Sequence, residues 1–334
     1  MGDKFIMGKI IIGIHGLGNK PAKNILEGWW KQSITEGLQK FGNYKKDFQF
    51  ELVYWADVFY DQALDPLEND PDHPLFLEEI YTPAPTDYIP NPHPIRQKIL
   101  DILEEQLDKI FLNDDLTVNF SYITDNIIRA YFKELDSYYA KECEDEKETN
   151  CRARDIIRRR TANIIKKYED DEILIIGHSM GSIIAYDVLT FTVPEVNVNT
   201  FITMGSPLGL PVIRAKIAAE SNSNHLDPIQ LLTPPSVNNQ WINYSDLEDK
   251  IALVYNLTDK FGENQHDIHV KNTVVDNNYE IDDQKNPHKS FGYLRTPEMA
   301  GALANFLKSG RPNFLLRLLA QLRNNIRPVL YRNK

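Results

Sequence analysis

The stretch DEILIIGHSMGSIIAYDVL, residues 171 to 189, constrains the fold more than any other part of this chain. Its first half, DEILIIG (171 to 177), is an apolar run of strand length that reads as a strand buried on both faces. A helical pattern, carried by Ile183, Ile184, Asp187 and Val188, opens almost immediately afterwards. The turn between them is G-x-S-x-G, with Ser179 at its centre. A strand-to-helix turn this tight strains the serine backbone, and Gly177 and Gly181 let strand and helix approach without a side-chain clash. The pentapeptide alone is short enough to arise by chance, so its meaning rests on its context.

That context repeats along the chain. KIIIGI (9 to 14) is a second buried-strand run and ends in the Gly-rich turn HGLGNK. ELVYW (51 to 55), TFITMG (200 to 205), QWINYS (240 to 245) and HVKNTVV (269 to 275) complete the strand set. Ile157, Thr161, Ile164 and Tyr168 share a helical face before the 171 to 177 strand, and PEMAGALANFLK (297 to 308) reads as a helix with Pro297 at its start. Strands alternating with helices predict an α/β fold, a mostly parallel sheet with helices on both faces.

Residues 61 to 149 break the rhythm, with a Pro-rich stretch from Pro66 to Pro94 and then two amphipathic helical patterns. The first pattern carries Ile99, Leu103, Leu107 and Ile110, the second Ile128, Phe132, Leu135 and Tyr139. This reads as an insertion after an early strand, either a structural elaboration or a cap or lid over a pocket. The expected organisation is one domain over 1–310, including the 61–149 insertion, and a basic amphipathic tail over 311–334. In that tail Leu315, Leu318, Leu322 and Ile326 share a helical face among arginines, with no acidic residue. Such a helix packs on its own domain or a partner, or lies peripherally on an anionic membrane surface.

Composition excludes some functions. A formal net charge of −11 argues against general nucleic-acid binding, which needs clustered Lys and Arg. Cys143 and Cys151 are the only cysteines, so no disulfide framework is expected and a reducing compartment fits. The N-terminus lacks a signal peptide's apolar core, Ile6 breaks the myristoylation pattern, and no apolar run approaches the ~20 residues of a membrane span. A cytoplasmic protein is expected, and the sequence says nothing of its oligomeric state.

The candidate chemistry starts from Ser179, a weak nucleophile until a base takes its proton. Of eight histidines, His288 in NPHKSFGYL lies in a loop between the last strand and the last helix, at the sheet edge expected for Ser179. His178 is expected to pack or hydrogen-bond behind the turn. The orienting carboxylate is expected in SDLED, with Asp249 preferred and Asp246 as the alternative. Two N–H donors would hold an oxyanion, those of Met180 and of Leu17, the latter in the close-approach loop His15-Gly16-Leu17-Gly18. His266 and His269 form a lone H-x-x-H without a third ligand, so no metal is expected. Gly18-Asn19-Lys20-Pro21 fits neither nucleotide fingerprint, and no cofactor is expected.

Taken in order, GIHGLGNK, VYWAD, GHSMG, MGSPLG and NPHKSFGYL resemble an α/β-hydrolase of the serine esterase and lipase type over roughly 9 to 60 and 155 to 308. The resemblance implies the α/β-hydrolase fold, the serine on an elbow, and ester or thioester hydrolysis without a cofactor. The match is loose at the acid, where SDLED replaces the usual Gly-rich approach. Leu17, Met180, Leu208 and Leu210 either line an acyl pocket or pack in the core. The expected activity is hydrolysis of carboxylic esters, lipid esters among them. Thioesterase, acyltransferase and amidase activities use the same constellation, and a non-catalytic binding scaffold is the reading from a different class.

Overall fold

The computed structural model describes residues 8–78, 80–84, 135, 138–139, 153–221, 231–252 and 254–309. Its strands are β1 (Lys9–Ile14), β2 (Gln49–Val53), β3 (Glu172–His178), β4 (Val198–Met204), β5 (Leu231–Leu232), β6 (Val237–Asp246), β7 (Phe261–Gly262), β8 (Val270–Val275), β9 (Glu280–Ile281) and β10 (Gln284–Lys285). Its helices are α1 (Lys23–Lys40), α2 (Ala153–Lys167), α3 (Met180–Asp187), α4 (Pro211–Ser221), α5 (Ser290–Leu294) and α6 (Pro297–Lys308).

Six strands form one sheet in the order β2-β1-β3-β4-β6-β8, and every adjacent pair is parallel. These six are the strands that the apolar runs predict. ELVYW stops being strand at Val53, because the Trp55 N–H is donated to the His15 ring (3.0 Å) rather than to a neighbouring strand. All seven residues of β3 are buried, which accounts for a continuous apolar run where a half-exposed strand would alternate.

Two apolar layers sandwich the sheet. On one face Leu26, Trp30, Ile34 and Leu38 of α1 join Met299 and Leu303 of α6 against Ile11, Leu174, Ile176 and Ile202. On the other, Ile157 and Ile165 of α2 and Ile183 and Ile184 of α3 cover Ile10, Ile12, Ile173 and Ile175. The Thr296 hydroxyl accepts the Met299 N–H (3.3 Å) and Pro297 opens α6, the start signal visible in the sequence.

β1 connects through α1 to β2 on one side, whereas β3 connects through α3 to β4 on the other. The carboxyl ends of β1 and β3 are therefore where the chain direction reverses, the point at which parallel sheets open a crevice.

Most of the 61–149 insertion, the 311–334 tail and both cysteines lie outside the described residues. The two ends of the insertion are described. At its start, the Arg295 guanidinium donates to Thr82 O (2.6 Å), and Tyr81 donates to Glu36 of α1. Near its end, Leu135, Tyr138 and Tyr139 are helical and buried. The Tyr138 hydroxyl donates to Asp187 Oδ2 (2.9 Å) at the end of α3, where Arg158 of α2 also binds (2.7 Å).

Candidate active site

Ser179 is the single residue between β3 and α3 and holds φ 52°, ψ −125°, a region that L-residues other than glycine rarely enter. Its N–H is tied to Met204 O (3.1 Å) on β4, and the residue is 2 % exposed. Close approach explains the flanking glycines. A Cβ on Gly181 would stand 2.1 Å from Ile14 O, and one on Gly177 2.6 Å from Ser182 Cα, both contacts with backbone. Gly16 is as constrained, since its Cβ would lie 2.8 Å from that of Ser179.

His288 reaches this turn from 109 residues away, with Nε2 3.0 Å from Ser179 Oγ. Its Nδ1 faces Asp249, at 2.9 Å from Oδ1 and 2.8 Å from Oδ2. The Asp249 side chain is fully buried, and Oδ1 also accepts the Ile251 N–H (2.9 Å). Oδ2 accepts the Tyr293 hydroxyl (2.8 Å). Burial of this side chain is offset by the donors that surround it.

Asp246, the alternative acid, is turned the other way. Its carboxylate accepts the N–H groups of Glu248 (2.7 Å) and Asn277 (2.6 Å), and burial pushes its pKa up to about 6. Its own N–H is donated to the Tyr293 hydroxyl (2.9 Å). The geometry thus pairs His288 with Asp249 and uses Asp246 to fix the loops around that pair.

The sequence reading did not single out Asn277 or Tyr293. The Asn277 side chain donates to Pro287 O (2.8 Å) and Lys289 O (2.8 Å), bracketing His288 on both sides. Gly292 packs so closely that a Cβ there would fall 1.6 Å from Asn277 Oδ1. Tyr293 stands in the same NPHKSFGYL segment as His288, and burial beside Asp249 and Asp246 holds its phenol well above its ordinary pKa. It therefore stays a neutral donor. The hairpin β9–β10 and the short α5 also separate His288 from its neighbours, so this connection is more structured than the simple loop expected.

The loop after β1 faces the same turn. His15 is 1 % exposed, and its ring donates from Nδ1 to Gly16 O (2.8 Å) and accepts from Trp55 N at Nε2. Burial, with Lys20 nearby, lowers its pKa to about 3, so the imidazole is neutral and acts as a clamp. The Lys20 ammonium binds the carbonyls of Leu17 and Gly18, the latter at 3.1 Å. Met180 opens α3, so its N–H is among the donors a helix leaves unpaired at its start. His178, expected behind the turn, instead lines the cleft at Ser179 with its ring 4.8 Å from that of His288, its Nε2–H donating to His288 O (2.7 Å) while burial and His288 depress its pKa.

Ser179, His288, His178 and His15 line this cleft of about 350 Å³, whose walls also include Leu17, Leu26, Trp29, Trp30, Leu77 and Phe291. Of the residues with a possible acyl-pocket role, Leu17 lines it. Met180, Leu208 and Leu210 are buried in the core layer that α2 and α3 cover, so they serve packing. The His269 ring binds Phe261 O (2.7 Å), and among the described residues no group of three or more His, Cys, Asp or Glu could hold a metal ion. Among the same residues no helix is long and apolar enough to cross a membrane.

A family model described as "PGAP1-like alpha/beta domain" matches residues 152–240, from the start of α2 through β3, the Ser179 turn and β4 into β6. No curated protein matches the chain. The matched family is of hydrolase type, and with six parallel strands wrapped by helices the chain has the α/β-hydrolase fold.

Proposed function

We propose that this α/β-hydrolase-fold chain is a serine esterase acting on carboxylic esters, lipid esters among them. The observation that carries the reading is the hydrogen-bonded series Ser179 Oγ, His288 Nε2, His288 Nδ1 and Asp249, at 3.0 and 2.8 Å. A base within hydrogen-bond reach of a strained, cleft-lining hydroxyl is the arrangement that nucleophilic acyl transfer needs.

In this mechanism Ser179 Oγ attacks the ester carbonyl as His288 Nε2 takes its proton. Asp249 holds the ring and stabilises the imidazolium that forms, without itself becoming protonated. The carbonyl oxygen becomes an oxyanion, held by the N–H groups of Met180 and Leu17. Gly16, Gly177 and Gly181 support this geometry by letting the backbones meet, and His15 supports it by clamping the β1 loop. Collapse expels the alcohol, which takes the proton from His288 and leaves an acyl-Ser179. Water, deprotonated by His288, then releases the acid. No cofactor enters.

The same steps cleave thioesters, and the test is a panel of nitrophenyl esters, matching thioesters and phospholipids with Ser179→Ala as control. Ester turnover that Ser179→Ala abolishes supports the reading. Faster turnover of thioesters at matched acyl length would reassign it to a thioesterase.

A further inference from the structure

Arg295 caps α5 and is 2 % exposed, so its charge must be met by partners inside the protein. Its guanidinium spreads over three segments that are distant in sequence. Nε donates to Asn278 Oδ1 (2.7 Å) and Nη2 to Asn278 O (3.3 Å). Nη1 donates to Thr82 O (2.6 Å), at the start of the insertion, and to Glu36 Oε2 of α1 (3.4 Å). None of these four residues is among the described residues that line the Ser179 cleft. We infer, on the reading that His288 is the base for Ser179, that Arg295 is a positioning residue. It ties the start of the insertion to the Asn277–Asn278 segment and through that segment fixes His288.

The connection can be followed bond by bond. The Asn277 side chain donates to the carbonyls on both sides of His288, so the base moves with it. That amide is steady only while its own backbone is. The Asn277 N–H is held by Asp246 Oδ2 (2.6 Å) on one side, and Arg295 grips both the side chain and the carbonyl of Asn278 on the other. Residues 80–84 carry no helix or strand and are stitched to the same stretch from outside. The Tyr279 hydroxyl donates to Ile80 O (2.6 Å) and the Thr82 hydroxyl to Glu280 O (3.1 Å). Glu36 takes the Ala84 N–H (3.3 Å) and the Tyr81 hydroxyl, so the Arg295–Glu36 pair holds this strap from both of its charges. A buried ion pair is a weak source of stability, because desolvation offsets the attraction. What this one supplies is geometry: a planar guanidinium presents diverging donors that a lysine ammonium cannot reproduce. The start of the insertion thereby becomes part of the support of the base.

The test measures fluorophosphonate labelling of Ser179, ester kcat and KM, and urea midpoints in Asn278→Ala, Arg295→Lys and Asn277→Ala. Asn278→Ala changes a half-buried residue and leaves the bond to its carbonyl, so labelling and kcat should fall by about tenfold with KM held. Arg295→Lys should lower both by about 10²-fold. Because the effect runs through Asn277, Asn277→Ala/Asn278→Ala should be little slower than Asn277→Ala alone. Should Arg295→Lys fail to fold, Asn278→Ala and this double variant decide. Unchanged labelling and kcat in Asn278→Ala overturn the inference, even if its urea midpoint falls. So does a loss confined to KM, or a double variant in which the two effects multiply. If the unmodified protein neither turns over an ester nor takes the label, the esterase reading itself fails. The NMR signal of the His288 Cε1–H, assigned by its absence in His288→Gln, then still reports the position of the ring. It should shift in Asn278→Ala, and an unmoved signal overturns the inference.

Discussion

Asp246 and Asp249 stand three residues apart in a tight turn, and only their hydrogen bonds tell them apart. On the proposed mechanism, Asp249→Asn should lower kcat by about 10³–10⁴, because an amide there favours the wrong imidazole tautomer. Asp246→Asn leaves the His288–Asp249 pair in place and should cost far less activity, its main effect being a loosened Asn277 loop. An ester assay of the two variants checks this, and a larger loss in Asp246→Asn would exchange their roles. At this scale the sequence is legible where the backbone itself announces a residue. The positive φ of Ser179 follows from a strand that must become a helix in one step, and a pair of glycines records it. Tyr293 and Asn277 were not legible, since each acts across 10 to 44 residues on a backbone or carboxylate group that local pattern does not reveal.

The loop that carries His288 is held by Asn277 rather than by a helix or strand of its own. Asn277→Ala removes two hydrogen bonds to carbonyls that flank the base. Small displacements of a catalytic group are expensive, so kcat should fall by about 10²-fold with little change in KM. Asn277→Asp should be worse, because it sets a carboxylate against two carbonyl oxygens. A loss confined to KM would assign Asn277 to substrate binding instead. Element positions were legible where periodicity is clean: the six sheet strands, and α6 with its Pro297 start. α1 was not, because its inward stripe mixes Ser33 and Gly37 with Leu26, Trp30, Ile34 and Leu38, and its Trp29–Trp30 pair breaks the spacing. The two-residue strands β5, β7, β9 and β10 leave no periodicity to read.

For the molecule as a whole, buried histidines weaken the fold as pH falls. His15 ordinarily titrates at 6.5 but near 3 when folded, so between those values the unfolded chain binds a proton that the native one does not. Its contribution is present above pH 6.5 and is lost as pH falls, by about 1.4 kcal/mol per unit at the steepest. His178 acts with the same sign. Asp246, raised from 3.8 to about 6, opposes them: it holds its proton in the native state over that window, so its contribution weakens as pH rises. Asp187, raised by the same burial, opposes them too, so the test isolates His15: between pH 7 and pH 5 the urea midpoint of His15→Gln should fall less than that of the unmodified protein, and parallel profiles would contradict this. The insertion joins this frame through Asp187, fully buried and paired with Arg158 and Tyr138. Arg154 also pairs with Asp187 (3.6 Å), so only the double variant Arg154→Met/Arg158→Met strands that carboxylate, and it should destabilise the fold by about 3–5 kcal/mol in urea unfolding. The class of the molecule was legible because alternating apolar runs allow few architectures. The packing of the 61–149 insertion was not, since Pro-rich spacing specifies no packing partner. The central claim is that Ser179 is an activated nucleophile, and mass spectrometry of the protein after exposure to a fluorophosphonate tests it most directly. The account predicts one adduct per chain, on Ser179, lost in Ser179→Ala and strongly slowed in His288→Ala. A native protein that takes no adduct while a control esterase is labelled, or one labelled at another residue, would contradict it.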